Sequence, residues 1–407
     1  MKIGVYGGTF NPPHLGHIMA AITAVRVLGL DKLLLIPAGI PPHKAISADA
    51  PAPEHRLAMT GMAAEIVALE TKKEVEVSDI EMRREGKSYT VDTLKALREQ
   101  YPEDELYLLM GTDMFLTFQN WRSPEEIVRL AKLCAFGRSE KDTEELFAPQ
   151  RDYLRAQYPG CEITTLVLPN LVDVSSTQLR AALPNGDGAR WLAPQIYGYI
   201  LREQLYGTKT DCRRLTIDQL RPIALSYLKA KRVPHVLGTE KAAIEIAQKY
   251  GADVDKARIA ALLHDCTKKL NAEEQKELCI RYNIELDELE QKALKLVHAK
   301  TGAAIAREVF GVDDEIYSAI FWHTTGRADM TLLEKVIYLA DYIEQTRDFP
   351  GVEELRKAVY ENLDKGLLMG LNMTVSEMIE RGNPIHKSTL AAKEYLERTG
   401  NGFVRAE

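Results

Sequence analysis

The periodicity of the apolar residues changes near the middle of the chain, and this change constrains the fold more than any other feature. In the first half, short apolar runs of strand length alternate with stretches of helical spacing. Such alternation is typical of a parallel sheet covered by helices on both faces. The predicted strands cover residues 2–6, 32–37, 74–80, 106–110, 133–136 and 162–168, and the predicted helices include residues 17–28, 90–100 and 195–205.

The second half, from about residue 215, shows helical spacing throughout and no strand-like run. This pattern favours an all-α bundle. Because a polar stretch separates the two patterns, we expect an α/β Rossmann-like domain over residues 1–207, a linker over 208–213 and a helical domain over 214–407. Helices are predicted in the second domain over residues 241–249, 253–269, 303–309 and 332–344.

The composition argues against several classes of protein. The 407 residues carry a formal net charge of −7, from 52 basic and 59 acidic side chains, so we expect no nucleic-acid partner. The five cysteines form no C-x-x-C pair, which disfavours a disulfide framework and fits a reducing cytoplasm. The N-terminus is unlike a signal peptide, and no apolar run is long enough to span a bilayer. The expectation is a cytoplasmic protein without a membrane partner; homo-oligomerisation stays open.

A segment rich in glycine and histidine follows the first predicted strand and leads into the first predicted helix. It reads GGTFNPPHLGH over residues 7–17. At the carboxyl end of a parallel strand, glycines let the backbone approach a phosphate, and a helix N-terminus supplies N–H donors. His14 and His17 share a face on a helical turn, where both imidazoles could hold phosphate oxygens. Taken singly, each residue also fits an ordinary turn with surface histidines.

A second helix start reads VSSTQLR over residues 174–180. Ser175 and Gln178 have the spacing of a capping box. The hydroxyls of Ser176 and Thr177, together with Arg180, would converge on a second phosphate. Ordinary helix capping explains the hydroxyl groups but not the arginine.

These two segments together resemble the nucleotidylyltransferase superfamily, and residues 1–207 resemble nicotinate mononucleotide adenylyltransferases over their whole length. Further matching segments are PPHK at 41–44, SYTVDT at 88–93, GTD at 111–113 and NW at 120–121. The resemblance implies that ATP and nicotinate mononucleotide give nicotinate adenine dinucleotide and pyrophosphate, with Mg²⁺ as the cofactor. No protein nucleophile is expected, so catalysis would consist of positioning and charge stabilisation.

The resemblance also implies roles for individual residues. Lys44 would reach a phosphate, Asp113 would position the nucleotide, and Thr90 and Trp121 would lie at the nicotinate ring. The candidate phosphate- and nucleotide-binding residues are Gly7, Gly8, Thr9, Phe10, His14, His17, Lys44, Gly111, Asp113, Ser176, Thr177 and Arg180.

One departure from the family affects the choice of acceptor. The family usually has an Arg-Pro pair after the fifth strand, whereas this chain has Arg138 followed by Ser139. Arg138 keeps the charge expected at the nicotinate site, but discrimination between the acid and amide substrates stays open. Trp121 could also be a core aromatic residue, and another phosphate acceptor is the alternative for this half.

Histidines and aspartates lie in strongly apolar helical segments of the second half. His264 and Asp265 end the apolar run IAALLHD, and Asp341 lies within VIYLADYI. Burying such side chains is costly unless they are paired or bind a metal. Any one histidine is better explained as a core or surface residue, but the whole set is less easily explained in that way. The candidate ligands are His235, His264, Asp265, His298, His323 and Asp341.

The pattern His264-Asp265-x-x-Lys268 matches the core of the HD phosphohydrolase superfamily. Three further segments, HVLG at 235–238, HTTG at 323–326 and ADYIE at 340–344, resemble bacterial HD-domain symmetrical diadenosine tetraphosphate hydrolases. The resemblance covers about residues 214–395. It implies hydrolysis of diadenosine tetraphosphate to two ADP at a dinuclear site, which the ligand types suggest holds iron or manganese.

In that site Asp265 would bridge two ions, with His235, His264 and Asp341 completing one of them. His298 and His323 would complete the other, and Lys268 would orient the site or meet a phosphate. Another nucleotide substrate, or a regulatory module without turnover, are the alternatives for this half.

Overall fold

The computed structural model describes residues 1–42, 50–137, 142–168, 174–293 and 295–400. The predicted binding residues Lys44 and Arg138 lie outside these ranges. The chain folds as two compact units, Met1–Lys209 and Thr210–Glu407, and the division falls within the predicted linker. They are called the first unit and the second unit below.

The first unit contains a six-stranded parallel sheet in the order β3-β2-β1-β4-β5-β6. The strands are β1 (Lys2–Gly8), β2 (Lys32–Pro37), β3 (Glu74–Val77), β4 (Glu105–Gly111), β5 (Lys132–Phe136) and β6 (Ile163–Leu166). The helices are α1 (Leu15–Leu28), α2 (Pro53–Thr71), α3 (Thr90–Gln100), α4 (Thr112–Leu116), α5 (Pro124–Leu130), α6 (Glu144–Gln157), α7 (Ser176–Ala182) and α8 (Pro194–Arg202).

Both faces of this sheet are buried, which explains why its strands are continuous apolar runs. Alternate residues of a strand point to opposite faces. Accordingly Leu33 and Leu35 of β2 belong to one apolar core, and Leu34 and Ile36 belong to a second core. The predicted doubly covered parallel sheet is confirmed. The strand order reverses between the neighbours β1 and β4, and ligands bind at such a reversal in open α/β sheets.

The second unit is helical throughout its described residues. Its helices are α9 (Ile217–Ser226), α10 (Val233–Tyr250), α11 (Val254–Leu263), α12 (Ala272–Arg281), α13 (Glu288–Lys292), α14 (Val297–Phe310), α15 (Asp314–Trp322), α16 (Leu332–Ile343), α17 (Val352–Glu361), α18 (Leu363–Glu380) and α19 (Lys387–Gly400). Helix α11 packs against α9, α10, α14, α15 and α16, so its C-terminal end lies among the elements that carry the candidate ligands.

Three local predictions are wrong. The helix predicted over 253–269 ends at Leu263, because tight turns follow in which the Cys266 and Lys268 N–H groups donate to carbonyls three residues earlier. The strand predicted over 74–80 ends at Val77, since the Asp79 carbonyl accepts two later N–H groups and turns the chain. The Ser-Pro-Glu-Glu sequence at 123–126 predicts a helix start with Ser123 as its cap. The helix α5 does begin there, but the Ser123 side chain makes no capping hydrogen bond.

Among the described residues, no helix is both long and apolar enough to cross a membrane.

The capping box at the start of α16 provides a test of the helix assignments. Thr331 Oγ1 accepts the Glu334 N–H at 3.3 Å, and Glu334 Oε2 accepts the Thr331 N–H at 2.8 Å. We expect Thr331→Ala to lower the free energy of unfolding of the second unit by about 1 kcal/mol. The control Ser123→Ala removes no cap and should change the first unit by less than about 0.5 kcal/mol. Urea denaturation followed by circular dichroism measures both, and equal losses would contradict the difference in capping.

Candidate functional site

A cavity of about 480 Å³ opens at the carboxyl ends of the strands of the first unit. Two segments that are far apart in sequence form part of its wall: the loop after β1 and the start of α7. Of the predicted binding residues, the cavity is lined by Gly7, Gly8, Thr9, His14, His17, Thr90, Gly111, Asp113, Trp121, Ser176, Thr177 and Arg180. The structure thus brings together nearly all the described candidates of this half.

His14 and His17 lie against each other at the start of α1. His14 is the residue before the helix, and its N–H donates to Nδ1 of His17 at 3.2 Å. The two ring centroids are 3.8 Å apart. The Phe10 ring packs beside this pair, with its centroid 5.2 Å from that of the His17 ring. The Phe10 side chain itself is buried in the core and does not line the cavity.

Arg180 connects the two segments of the cavity wall. Its Nη1 donates to the Asn11 carbonyl at 2.9 Å, and its Nη2 donates to Thr177 Oγ1 at 3.3 Å. The predicted capping box at α7 is confirmed, because Ser175 Oγ accepts the Gln178 N–H and Gln178 Oε1 accepts the Ser175 N–H. The guanidinium therefore lies beside the N-terminus of α7. Its positive charge and the N–H groups of the helix start both favour a bound anion.

Thr90 and Trp121 also line this cavity. The indole ring of Trp121 packs 5.3 Å from the Phe118 ring, and its Nε1–H has no hydrogen bond to any described residue. An indole that is packed on one side and lines a cavity offers a flat apolar surface to an aromatic ligand.

The second unit gathers four histidines and two aspartates from five segments. His235 lies in the first turn of α10, and His264 and Asp265 directly follow α11. His298 lies in the first turn of α14, inside the helix rather than before it. The other two, His323 and Asp341, lie at the end of α15 and within α16.

All four imidazoles are held so that Nε2 faces the centre of this cluster. Nδ1 of His264, His298 and His323 each lies 2.6 Å from the carbonyl oxygen three residues earlier. A carbonyl can only accept, so Nδ1 carries the proton and the unprotonated Nε2 is a possible metal ligand. Nδ1 of His235 is held in the same way by Glu344 Oε1 at 3.0 Å.

The two oxygens of Asp265 face different pairs of imidazoles. Oδ2 lies 3.5 Å from Nε2 of His264 and 3.9 Å from Nε2 of His235. Oδ1 lies 3.2 Å from Nε2 of His298 and 3.9 Å from Nε2 of His323. Asp341 Oδ1 completes the first group, 3.0 Å from Nε2 of His235. The predicted pair of ions bridged by Asp265 stays a prediction.

The electrostatics of the cluster favour charged carboxylates. Burial alone would raise the pKa of Asp265 and of Asp341, but the neighbouring imidazoles hold both pKa values well below the ordinary value. Burial lowers the pKa of His298 and, with the adjacent rings, takes the pKa of His323 well below its usual range. Burial alone would lower the pKa of His264, but the neighbouring Asp265 carboxylate raises it. Metal binds ionised carboxylates and neutral imidazoles, so the shifts of both aspartates, His298 and His323 favour the metal-binding forms, whereas the raised pKa of His264 does not.

Three cations border the cluster. Arg232 Nε donates to Asp265 Oδ2 at 2.5 Å, and Arg347 Nη2 donates to Asp341 Oδ1 at 2.6 Å. Lys268 Nζ lies 3.9 Å from Asp265 Oδ1, and burial lowers its pKa. Sequence reasoning found Lys268 but missed both arginines, which belong to no pattern that the sequence analysis recognised.

Comparison with known proteins identifies both units. Residues 5–182 match the Cytidylyltransferase-like family, and residues 232–346 match the HD domain family. A protein of Trichlorobacter lovleyi named "Probable nicotinate-nucleotide adenylyltransferase" is 38% identical over 218 residues, covering 51% of this chain and 99% of that protein. The "Bis(5'-nucleosyl)-tetraphosphatase, symmetrical" of Halalkalibacterium halodurans is 39% identical over 171 residues, covering 42% of this chain and 91% of that protein.

The first unit belongs to the nicotinate-nucleotide adenylyltransferase family and the second to the symmetrical bis(5'-nucleosyl)-tetraphosphatase family. They are called the adenylyltransferase unit and the HD unit from here on. A solved structure described as a predicted HD superfamily hydrolase involved in NAD metabolism from Clostridium acetobutylicum is 41% identical. It covers 46% of this chain and 98% of its own, with a TM-score of 0.44.

The donor set of the HD unit fits a divalent metal. His264 Nε2 and Asp265 Oδ1 are buried without a hydrogen bond to any described residue, although both lie inside the cluster. Two groups of possible ligands lie close enough to share an ion: His235 with His264 and Asp341, and His264 with Asp265 and His323. Imidazole and carboxylate ligands without thiolate are typical of iron, manganese and similar ions.

Glu344 and Gly238 support the cluster and were not identified as site residues from the sequence. Glu344 is buried, accepts from Thr346 as well as His235, and lies directly beside Gly238. A Cβ at Gly238 would lie 2.2 Å from Glu344 Oε2, so only glycine leaves room for this carboxylate. Their segments were quoted in the resemblance, but the contact between them spans about a hundred residues of sequence.

We therefore expect Gly238→Ala to displace Glu344 and to loosen the orientation of His235. Loss of such a support costs metal affinity about ten- to hundredfold. Equilibrium dialysis of the full chain against manganese measures the affinity, with circular dichroism to check the fold. The control Gly61→Ala, whose Cβ meets nothing within 4 Å, should bind manganese like the original chain. An unchanged affinity in a folded Gly238→Ala variant would contradict this supporting role.

Proposed function

We propose that the chain is a bifunctional enzyme. The adenylyltransferase unit would transfer the adenylyl group of ATP to nicotinate mononucleotide, giving nicotinate adenine dinucleotide and pyrophosphate. The HD unit would hydrolyse diadenosine tetraphosphate to two ADP. The main support for the first activity is that His14, His17 and Arg180 line one cavity. The second is carried by Asp265, whose two oxygens face separate pairs of imidazoles.

The first reaction needs no nucleophile from the protein. A phosphate oxygen of nicotinate mononucleotide attacks the α-phosphorus of ATP, the bond to the β-phosphate breaks, and pyrophosphate leaves. Charge builds up on the phosphate oxygens, and the two imidazoles and the Arg180 guanidinium are placed to stabilise it. Mg²⁺ would neutralise further phosphate charge.

Other residues would position the two substrates. The start of α7, with Ser176 and Thr177, contributes hydroxyl and N–H donors near Arg180. Gly7, Gly8 and Thr9, with the backbone of Phe10, allow the close approach of the triphosphate. The remaining proposed contacts are those of Lys44, Thr90, Gly111, Asp113, Trp121 and Arg138.

In the HD unit, one metal ion would be held by His235, His264 and Asp341 and another by His298 and His323, with Asp265 shared. Such a pair of ions, iron or manganese, supplies an activated water and neutralises phosphate charge. Water adds to one central phosphorus, the bridging P–O bond breaks, and both products are ADP. Lys268 lies at the edge of the cluster, where an ammonium group would hold a phosphate oxygen.

Trp121→Ala tests the nicotinate site of the adenylyltransferase unit. Stacking on an aromatic side chain is worth about 1–3 kcal/mol, so the KM for nicotinate mononucleotide should rise roughly 10- to 100-fold. The KM for ATP should change little. Steady-state assays of pyrophosphate release measure both constants. Equal increases for the two substrates would show that Trp121 supports the fold rather than the nicotinate ring.

Asp265→Ala tests whether the two activities are independent. The variant should lose metal and hydrolysis of diadenosine tetraphosphate but keep adenylyl transfer, because the proposed sites lie in separate units. Chromatography of the products made by the manganese- or iron-loaded full chain identifies the bond cleaved. ADP as the sole product supports the proposal, whereas ATP plus AMP would assign a different bond. No turnover with metal bound would favour another substrate or a regulatory role.

A further inference from the structure

Arg56 is a buried cation beside the phosphate-binding loop, and no motif from the sequence analysis includes it. It lies in the first turn of α2, is only 2% exposed and lines the cavity of the adenylyltransferase unit. Full burial of an arginine is unusual without a carboxylate partner. Among the described residues, no carboxylate forms an ion pair with Arg56.

The hydrogen bonds of Arg56 connect the carboxyl ends of the neighbouring strands β1 and β2. Its Nη1 donates to the Thr9 carbonyl at 3.1 Å, beyond β1, and to the Ala38 carbonyl at 2.7 Å, beyond β2. Its buried Nε makes no hydrogen bond to a described residue. Neutral carbonyls therefore satisfy part of this side chain but do not balance its charge.

The buried carboxyl group of Glu81 does not supply the missing negative charge. Glu81 also lines the cavity, but its carboxylate accepts from Thr93 Oγ1 at 2.8 Å. Burial raises the pKa of Glu81, which disfavours its charged form. Burial likewise lowers the pKa of Arg56, yet a guanidinium stays charged in proteins. An uncompensated buried cation in a cavity is stabilised when an anionic ligand enters.

We infer that Arg56 supplies positive charge to a phosphate group bound in this cavity while it holds the loops after β1 and β2 together. The ligand class is a nucleotide phosphate, either the triphosphate of ATP or the phosphate of the mononucleotide. This inference rests on the proposed adenylyl transfer. It adds a phosphate-positioning residue to His14, His17 and Arg180, in a helix that carries none of those motifs.

The test compares Arg56→Met, which removes the charge at similar length, with Arg56→Lys, which keeps it. Arg26→Met is the matched control, since Arg26 is an exposed arginine of α1 that pairs with Glu70. Hydrogen bonds to charged groups are strong enough that Arg56→Met should raise the KM for one phosphate-bearing substrate about ten- to hundredfold. Arg56→Lys should have a KM between those of Arg56→Met and the original chain, and Arg26→Met should have the KM of the original chain.

Two further readouts separate phosphate binding from loop bracing. A rise confined to the KM for ATP assigns the triphosphate, and a rise confined to nicotinate mononucleotide assigns the acceptor phosphate. Adenosine and nicotinate riboside, tested as competitive inhibitors, lack the phosphate and should keep their inhibition constants in Arg56→Met. Equal weakening of nucleosides and nucleotides, or no recovery in Arg56→Lys, would overturn the inference.

Failure of the proposed function would be visible separately. If the original chain showed no adenylyl transfer, binding of inorganic triphosphate would still be measured by calorimetry in the Asp265→Ala background, where the HD cluster is disabled. Loss of triphosphate binding on adding Arg56→Met would then support the role of Arg56. Unchanged triphosphate binding in Arg56→Met would overturn the inference.

Discussion

The buried carboxylate of Asp265 is the constraint on which the arrangement of the HD unit depends. It directly follows the apolar helix α11, and its charge must be compensated where water has little access. The adjacent His264, three imidazoles from other segments and two arginines approach it or its neighbour Asp341. The imidazoles can do so only because their Nδ1 atoms are occupied elsewhere, three by backbone carbonyls and one by Glu344. Helix packing therefore sets both the fold and the orientation of the ligands.

The proposed sites of the two units have opposite local charge. In the adenylyltransferase unit, cationic side chains and helix N-termini line a cavity that would receive the phosphates directly in the proposed reaction. In the HD unit, carboxylates and neutral imidazoles form a centre suited to cations, which would in turn meet phosphates. The proposed product of the adenylyltransferase unit and the proposed substrate of the HD unit both consist of two nucleosides joined through phosphates, so one chain would make one such molecule and degrade another.

The periodicity of the apolar residues was sufficient to predict the parallel sheet and the helical bundle, because each depends on which faces are buried. Element ends were less predictable. The helix predicted to continue past His264 stops before it, since tight turns compete there with helical hydrogen bonds. Ser123 resembles a cap by residue type, yet it has a left-handed backbone and makes no capping bond.

The residues of the candidate sites also differ in whether the sequence could predict them. Residues within short motifs, such as His14 or Asp265, could be found because their spacing reflects their joint role. Arg56, Glu344 and Arg232 could not, since each acts through contacts with residues distant in sequence. Nothing in the sequence around Arg56 distinguishes it from an exposed helical arginine. Only the tertiary structure shows that its charge is buried.

Anomalous X-ray scattering from crystals of the full chain grown with manganese would test the central claim about the HD unit most directly. We expect two manganese peaks, one near His235, His264 and Asp341 and one near His298 and His323, with Asp265 between them. A single peak, or two peaks elsewhere with this cluster metal-free, would contradict the dinuclear assignment.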